Sequence, residues 1–440
     1  MRKSSAIALL LLCVSLTTYA QTSVPAKLEQ YMERYTTFND FGGAVLVLKG
    51  DKALLKKAYG LADREWGVAN TVDTKFRIAS IAKPFTAVAI LKLVEQNKLS
   101  LDDTLEKHLP GFPGGDRITL HMMLTHSSGL PNSHGADVAT DMAMTREKAL
   151  EILKKKPLAF EPGSKSGYSN TAYLLLSWIL EKVTGESYAD FLQKHVLQPA
   201  SLHNTGVYSP ESILSRKAKH YRPENAAPGN RVENERWVNY AMFQGHGNLY
   251  STVDDLARFL HALRGTTLLS EASTKKMLST HGEGSDWGYG IDLTPLLERK
   301  AFGHGGSYNG AAGNAIVYPE EELTVVLLSN HGASANPLSQ ALAAIVFGRE
   351  VEMPYEHVRV NVDPALVEKY AGNYDGGVIF SKDGKLRLSD TVELVPESAT
   401  KFFESTNPNL TYEFVVGADG KVSAVLFGFY GVKRSIPRSR

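Results

Sequence analysis

Phe76-Arg77-Ile78-Ala79-Ser80-Ile81-Ala82-Lys83-Pro84-Phe85-Thr86 runs directly into Ala87-Val88-Ala89-Ile90-Leu91-Lys92-Leu93-Val94. The second segment is apolar around nearly its whole circumference, which is the pattern of a buried helix. Pro84 fits only near the start of that helix, where the N–H it lacks would have no intrahelical partner. Ser80 then falls at or just inside the helix N-terminus, and Lys83 lies three residues on, along the same face. A hydroxyl so placed can pass its proton to a neighbouring amine whose pKa burial has lowered, while the positive end of the helix dipole favours the charge that develops. Ser80 and Lys83 are therefore a candidate nucleophile and base. Spacing alone does not establish this, because Ser273–Lys276 and Ser398–Lys401 repeat the pattern. Neither of those precedes a buried helix.

Working outward, the first residues have the character of an export signal. Met1-Arg2-Lys3 is basic, Ala6 to Leu16 is apolar, and Thr18-Tyr19-Ala20 supplies small residues before Gln21, so residues 1–20 read as a signal peptide and the protein as periplasmic or secreted. Leu12 before Cys13 is too bulky for a lipidation signal. Cleavage after Ala20 takes two of the 48 basic residues and the only Cys, leaving 46 against 47 acidic ones. Such a balance gives no electrostatic footprint for nucleic acid. Without cysteine there is no disulfide and no thiolate chemistry. No stretch approaches a membrane span. HExxH and other metal-ligand spacings are absent, so neither metal nor cofactor is expected.

Further along, residues 24–36 read as an amphipathic helix, and Gly43 to Leu48 with Ala53 to Tyr59 as a hairpin around Lys49-Gly50-Asp51-Lys52. His121 and His126 are five apart, do not share a helix face and read as structural. Residues 170–184 form a second apolar helix closed by Gly185, and Ser251 to Leu256 carries a capping pattern ahead of a third. Ala315 to Tyr318 and Leu323 to Leu328 read as strands, and residues 336–348 as a helix. Strands at both ends with helices between imply a mixed α/β (α+β) domain over 21–348, its sheet closed by the terminal strands. Residues 349–363 suit a linker, and 364–440, with its Asp-Gly turns, a small β-rich domain without a recognisable motif.

Two further motifs stand near Ser80 in chemistry though not in sequence. Gly167-Tyr168-Ser169-Asn170-Thr171 holds the only Tyr-x-Asn among 19 tyrosines. A phenol near a Lys can relay protons, and an amide can orient both base and substrate. His304-Gly305-Gly306-Ser307 is the only His-x-Gly among 13 histidines, and its glycines allow close backbone approach on a strand. Alone, Tyr168-x-Asn170 reads more readily as a helix-capping loop and His304-x-Gly306 as a glycine-rich turn.

Taken in order, Ser80-x-x-Lys83, Tyr168-x-Asn170 and His304-x-Gly306 resemble the motif trio of the serine β-lactamase and penicillin-binding protein superfamily, in its class C and low-molecular-weight D-peptidase branch. Leu124-Thr125-His126-Ser127-Ser128-Gly129-Leu130 and Gly247-Asn248-Leu249-Tyr250-Ser251-Thr252 add to the likeness, which covers roughly residues 25–347. The resemblance implies a transpeptidase-like antiparallel sheet flanked by helices. It implies catalysis by Ser80, with Lys83 and Tyr168 sharing the proton transfers, and substrate contacts from Asn170, His304, Gly306 and Ser307. It also implies an oxyanion hole from the N–H groups of Ser80 and Ser307. Typical β-lactamases of this branch carry Lys where this chain has His304. The expectation is thus a serine hydrolase forming an acyl-enzyme on D-amino-acid peptides, peptidoglycan-type amides or small esters. A β-lactamase, or a penicillin-binding sensor that is acylated without turnover, remains open as an alternative. The partner expected is a small-molecule or peptide substrate, and oligomeric state is not legible. An ordinary His titrates near pH ~6.5, so a pocket carrying His304 would change charge close to neutrality.

Overall fold

The computed structural model describes residues 23–132, 139–223, 232–332 and 334–439; the signal segment 1–20 lies outside them. The chain enters through helix α1 (Val24–Asn39), begun by Pro25 in its first turn and capped by the Ser23 side chain. It then forms the hairpin β1 (Gly43–Lys49) and β2 (Lys52–Tyr59), turned by Gly50 at φ 56°. A four-residue 3-10 turn, Ala79–Ala82, leads into α2 (Lys83–Glu95). After several short helices stands α3 (Asn170–Thr184), ended by Gly185 in the left-handed conformation, and further on α4 (Val253–Leu263), where Thr252 rather than Ser251 caps the first turn. Strands β3 (Phe302–Tyr308), β4 (Ala311–Tyr318) and β5 (Leu323–Ser329) precede α5 (Ala335–Val346).

The main sheet runs β3-β4-β5-β1-β2 and is antiparallel throughout, with Gly43 to Lys49 paired against Ser329 to Leu323. The N-terminal hairpin and the C-terminal strands therefore close one sheet across the whole helical segment, as the strand–helix–strand order implies. Both faces of its centre are buried. Ala44, Leu46, Val326 and Leu328 join the core shared with α2, α3 and α4, while Val45, Val47, Val325 and Leu327 join the core under α1 and α5. This explains why the strands read as continuous apolar runs rather than alternating ones. Helix α2 is buried at ten of its thirteen residues, with Phe85 stacked on Phe259 of α4 at 3.7 Å. A helix encased this way is a rigid base for whatever stands at its first turn.

Past residues 349–363, which hold no helix, eight antiparallel strands follow in sequence order. The first is β6 (Gly372–Tyr374), and the last two are β12 (Val422–Phe429) and β13 (Val432–Pro437). A bridge from Tyr374 to Arg438 brings the first strand against the last, so the sheet curls into a near-barrel around Tyr370, Phe402 and Phe414. It does not hang free. The β12–β13 turn inserts Tyr430 into the core beneath α1, where its carbonyl accepts the Tyr31 hydroxyl at 2.8 Å.

Candidate active site

The turn that carries Ser80 is wound more tightly than the sequence implies. Ser80 lies in a 3-10 turn, and the α-helix starts only at Lys83. Side chains three apart eclipse one another in a 3-10 helix, which sets Lys83 Nζ 3.1 Å from Ser80 Oγ. Ala79, just ahead, has φ 45°, a strained value for a residue with a Cβ and one that clusters at functional sites.

Lys83 is fully buried. Its nitrogen also lies 2.6 Å from Asn170 Oδ1 and 3.3 Å from the His246 carbonyl. Burial drives its pKa well below the usual lysine value. A neutral amine has two N–H groups and one lone pair; Asn170 and His246 take the two donors, and the lone pair is left for the Ser80 hydroxyl. Asn132 fixes the orientation of Asn170, because its Oδ1 accepts both Asn170 Nδ2–H (2.8 Å) and Asn170 N–H (3.1 Å), turning Asn170 Oδ1 toward Lys83.

Tyr168 immediately precedes Ser169, the N-cap of α3. Its ring face lies 4.6 Å from Lys83 Nζ, close enough to stabilise an ammonium there. Burial pushes its pKa up to about 12 against the pull of a hydrogen bond with Ser80, so the phenol keeps its proton at neutral pH.

His126, which reads as structural from its spacing, is what holds this loop. Its carbonyl accepts Gly167 N–H at 2.8 Å, its Nδ1 accepts Ser169 N–H at 3.1 Å, and its ring packs 4.5 Å from that of Tyr168. Trp287 lies against both rings. Neither role shows in residue spacing, since loops distant in sequence bring these groups together; only the motif-like Leu124–Leu130 segment hinted at His126.

Strand β3 closes the site at the sheet edge. Gly303 exchanges both backbone hydrogen bonds with Asp292, away from β4. The β3–β4 register is unbroken, and polar groups alternate along an antiparallel strand. The Ser307 N–H therefore faces the same open edge as Gly303. Gly306 presses directly on the Ser80 turn: a Cβ at 306 would sit 2.4 Å from Ile78 O and 2.9 Å from Ser80 N. The Ser80 N–H thus lies against strand β3 at the residue next to Ser307.

His304 differs from what an ordinary histidine would do. It is only 6% exposed, and burial, with Lys83 nearby, lowers its pKa to about 3. Its Nδ1 is hydrogen-bonded to the Gly305 carbonyl, which can only accept. The proton is therefore on Nδ1, and Nε2 is a buried acceptor with no partner among the described residues. His304 itself therefore carries no charge near neutral pH.

Ser80, Tyr168, His304, Gly306 and Ser307 line one cleft of about 550 Å³, with Lys83 and Asn170 behind Ser80. No described lining residue is Asp, Glu, Lys or Arg. Among the described residues no group of acids, histidines or cysteines could hold a metal ion, and no helix is long and apolar enough to cross a membrane.

Residues 27–347 match the Beta-lactamase family. The chain belongs to that family. Across 88% of this chain it is 30% identical to a penicillin-binding protein of Bacillus subtilis (strain 168), covering 93% of that protein. It is also 26% identical to the teichoic acid D-alanine hydrolase of Staphylococcus aureus (strain MRSA252), covering 68% of this chain and 72% of the relative. Among solved structures, the octameric penicillin-binding protein homologue of Pyrococcus abyssi superposes with a TM-score of 0.65 at 26% identity. That likeness spans 93% of this chain and 99% of the other, so it takes in the eight-stranded near-barrel as well as the β-lactamase-like domain. The protein is a serine hydrolase of the Beta-lactamase family.

Proposed function

We propose that this Beta-lactamase-family hydrolase is exported and cleaves neutral esters and amides of D-amino acids through a Ser80 acyl-enzyme. One observation carries the mechanism: the Lys83 nitrogen has acceptors for two N–H groups and faces the Ser80 hydroxyl with what remains. Ser80 Oγ attacks the substrate carbonyl carbon, and its proton passes to Lys83. The carbonyl oxygen, now negative, takes hydrogen bonds from the Ser80 and Ser307 N–H groups. Tyr168, still a phenol, donates a proton to the leaving oxygen or nitrogen, and Lys83 restores it. Water then cleaves the acyl-enzyme by the same relay run in reverse.

The substrate class rests on the cleft. A carboxylate brought into it would meet no cation among the described lining residues, and His304 there is held neutral by burial. That disfavours carboxylate-bearing substrates, β-lactams and free D-peptides among them, relative to esters and amides. The D-amino-acid part is supported by the teichoic acid D-alanine hydrolase relative, and export by the Arg2–Ala20 segment.

Intact-mass measurements test the reading with four probes: an activated D-alanine ester, D-alanine amide, a D-Ala-D-Ala peptide and a penicillin. The expected result is a transient acyl adduct at Ser80 with turnover of the ester and amide. An unlabelled Ser80 with every probe refutes the acyl-enzyme, whereas a lasting penicillin adduct without ester turnover marks a sensor.

A further inference from the structure

The cleft that begins at Ser80 ends on residues that follow the linker. Asn407, Phe429 and Tyr430 line it together with β3, although 364–440 offers no motif in sequence. Their placement is tightly determined. Tyr430 is buried at φ 51°, its N–H donates to the Asn409 carbonyl at 3.0 Å, and its ring lies 6.0 Å from Tyr35 of α1. Gly431 follows at φ 84°, where a Cβ would sit 2.2 Å from the Glu352 carbonyl oxygen; its own carbonyl accepts Glu352 N–H at 2.9 Å. Asn407 Nδ2 donates to the Tyr430 hydroxyl at 3.4 Å, and its Oδ1 accepts Asn409 N–H at 3.2 Å. Asn409 in turn reaches Asn39 at the end of α1 through a 2.7 Å bond. The turn is thus pinned to the main domain from several sides, and Phe429 is carried with it, half-buried between the near-barrel and the cleft.

We infer that the near-barrel is a fixed specificity wall of the Ser80 site, in which the Phe429 ring receives an apolar group of the substrate and Asn407 a neutral polar one. The inference rests on the hydrolase reading and adds the substrate's second half: a neutral ester or amide bearing an apolar, preferably aromatic, group. A wall tied down by hydrogen bonds and a buried tyrosine loses little freedom when substrate binds, so contact with it appears as affinity rather than as induced closure. Among the described lining residues the other rings, Tyr168, His304 and Tyr430, each carry a polar atom, so Phe429 is the wholly apolar ring in a cleft walled otherwise mostly by glycine, alanine, serine and asparagine, and it can discriminate by size and apolarity.

The test compares p-nitrophenyl acetate with p-nitrophenyl phenylacetate in the full chain, wild type against Phe429→Ala. The expected result is a loss of roughly tenfold or more in kcat/KM for the phenylacetate, borne by KM, with the acetate changed by less than about twofold. Phe429→Leu, which keeps an apolar side chain at the docked turn, serves if the alanine variant does not fold, and should lower the same ratio by a smaller factor. Equal losses for both esters, or an unchanged ratio in a folded variant, overturn the specificity wall while leaving the hydrolase reading intact. A wild type inert toward both esters and unlabelled at Ser80 overturns that reading, and the wall with it.

Discussion

Gly306→Ala is the sharpest probe of the site because the structure gives both the clash and its consequence. The added Cβ would sit 2.4 Å from Ile78 O, 2.9 Å from Ser80 N and 3.2 Å from Ile81 N. All three neighbours are backbone, so no side chain can swing away. Strand β3 and the Ser80 turn must part by about 1 Å to restore ordinary contact, and a shift of that size at reacting groups costs on the order of 10²-fold. Loss of one oxyanion donor costs on the order of 10²–10³ in kcat. Both routes converge on a fall in kcat of at least about a hundredfold with little change in KM. Overpacking of this kind destabilises by about 1–3 kcal/mol, so the variant should still fold. Gly305→Ala is the internal control, since its Cβ would meet nothing closer than Asn314 Oδ1 at 3.5 Å; at most a few-fold loss is expected there. The assay is ester hydrolysis in steady state and single turnover, alongside thermal melting. If Gly306→Ala keeps kcat within about threefold of wild type while melting cooperatively, Ser307 N–H is not part of an oxyanion hole and the turn–strand contact is only packing.

Other outcomes follow from the same geometry. Ser80→Ala should abolish acyl labelling and turnover, and Lys83→Ala should slow acylation by on the order of 10² or more; label appearing at Ser273 or Ser398 would displace the assignment. With Lys83 as the base and its pKa depressed by burial, kcat/KM should rise with pH through that pKa and then level off. Asn170→Asp sets a carboxylate beside the amine, raises its pKa and should move this limb to higher pH by about 1–3 units; an unmoved limb means that Lys83 is not the titrating base. His304, pushed down to about 3, is neutral from pH 5 to 9, so KM for a matched carboxylate and amide pair should show parallel pH profiles. A carboxylate KM that climbs selectively between pH 5 and 8 would show instead that His304 carries charge there.

The legible and hidden parts of this site divide along one physical line. Ser80 and Lys83 are adjacent in sequence, and one apolar helix fixes their relation, so spacing and burial pattern suffice to find them. Tyr168-x-Asn170 is legible for a related reason, since Asn170 opens α3 and Tyr168 stands just ahead of its N-cap, Ser169. The five-stranded sheet is legible because β1 and β5 are apolar on both faces, a pattern that only a doubly covered sheet explains. What local sequence cannot express is a group recruited by its backbone or by distant docking. The His246 carbonyl is available whatever side chain residue 246 carries. His126 acts on Tyr168 across 42 residues of sequence, through one ring nitrogen and one carbonyl. Phe429 reaches the cleft because Tyr430 is buried beneath α1, roughly four hundred residues away in the chain. Even the protonation of His304 belongs to this class, since nothing in His-x-Gly says that Nδ1 will meet the Gly305 carbonyl and leave Nε2 bare. The reaction type is thus written in contiguous motifs, whereas the proposed preferences for substrate charge and shape rest on His304's surroundings and the docked turn. Exchanging near-barrels between relatives should for that reason change which ester is preferred while leaving the Ser80 acylation chemistry in place.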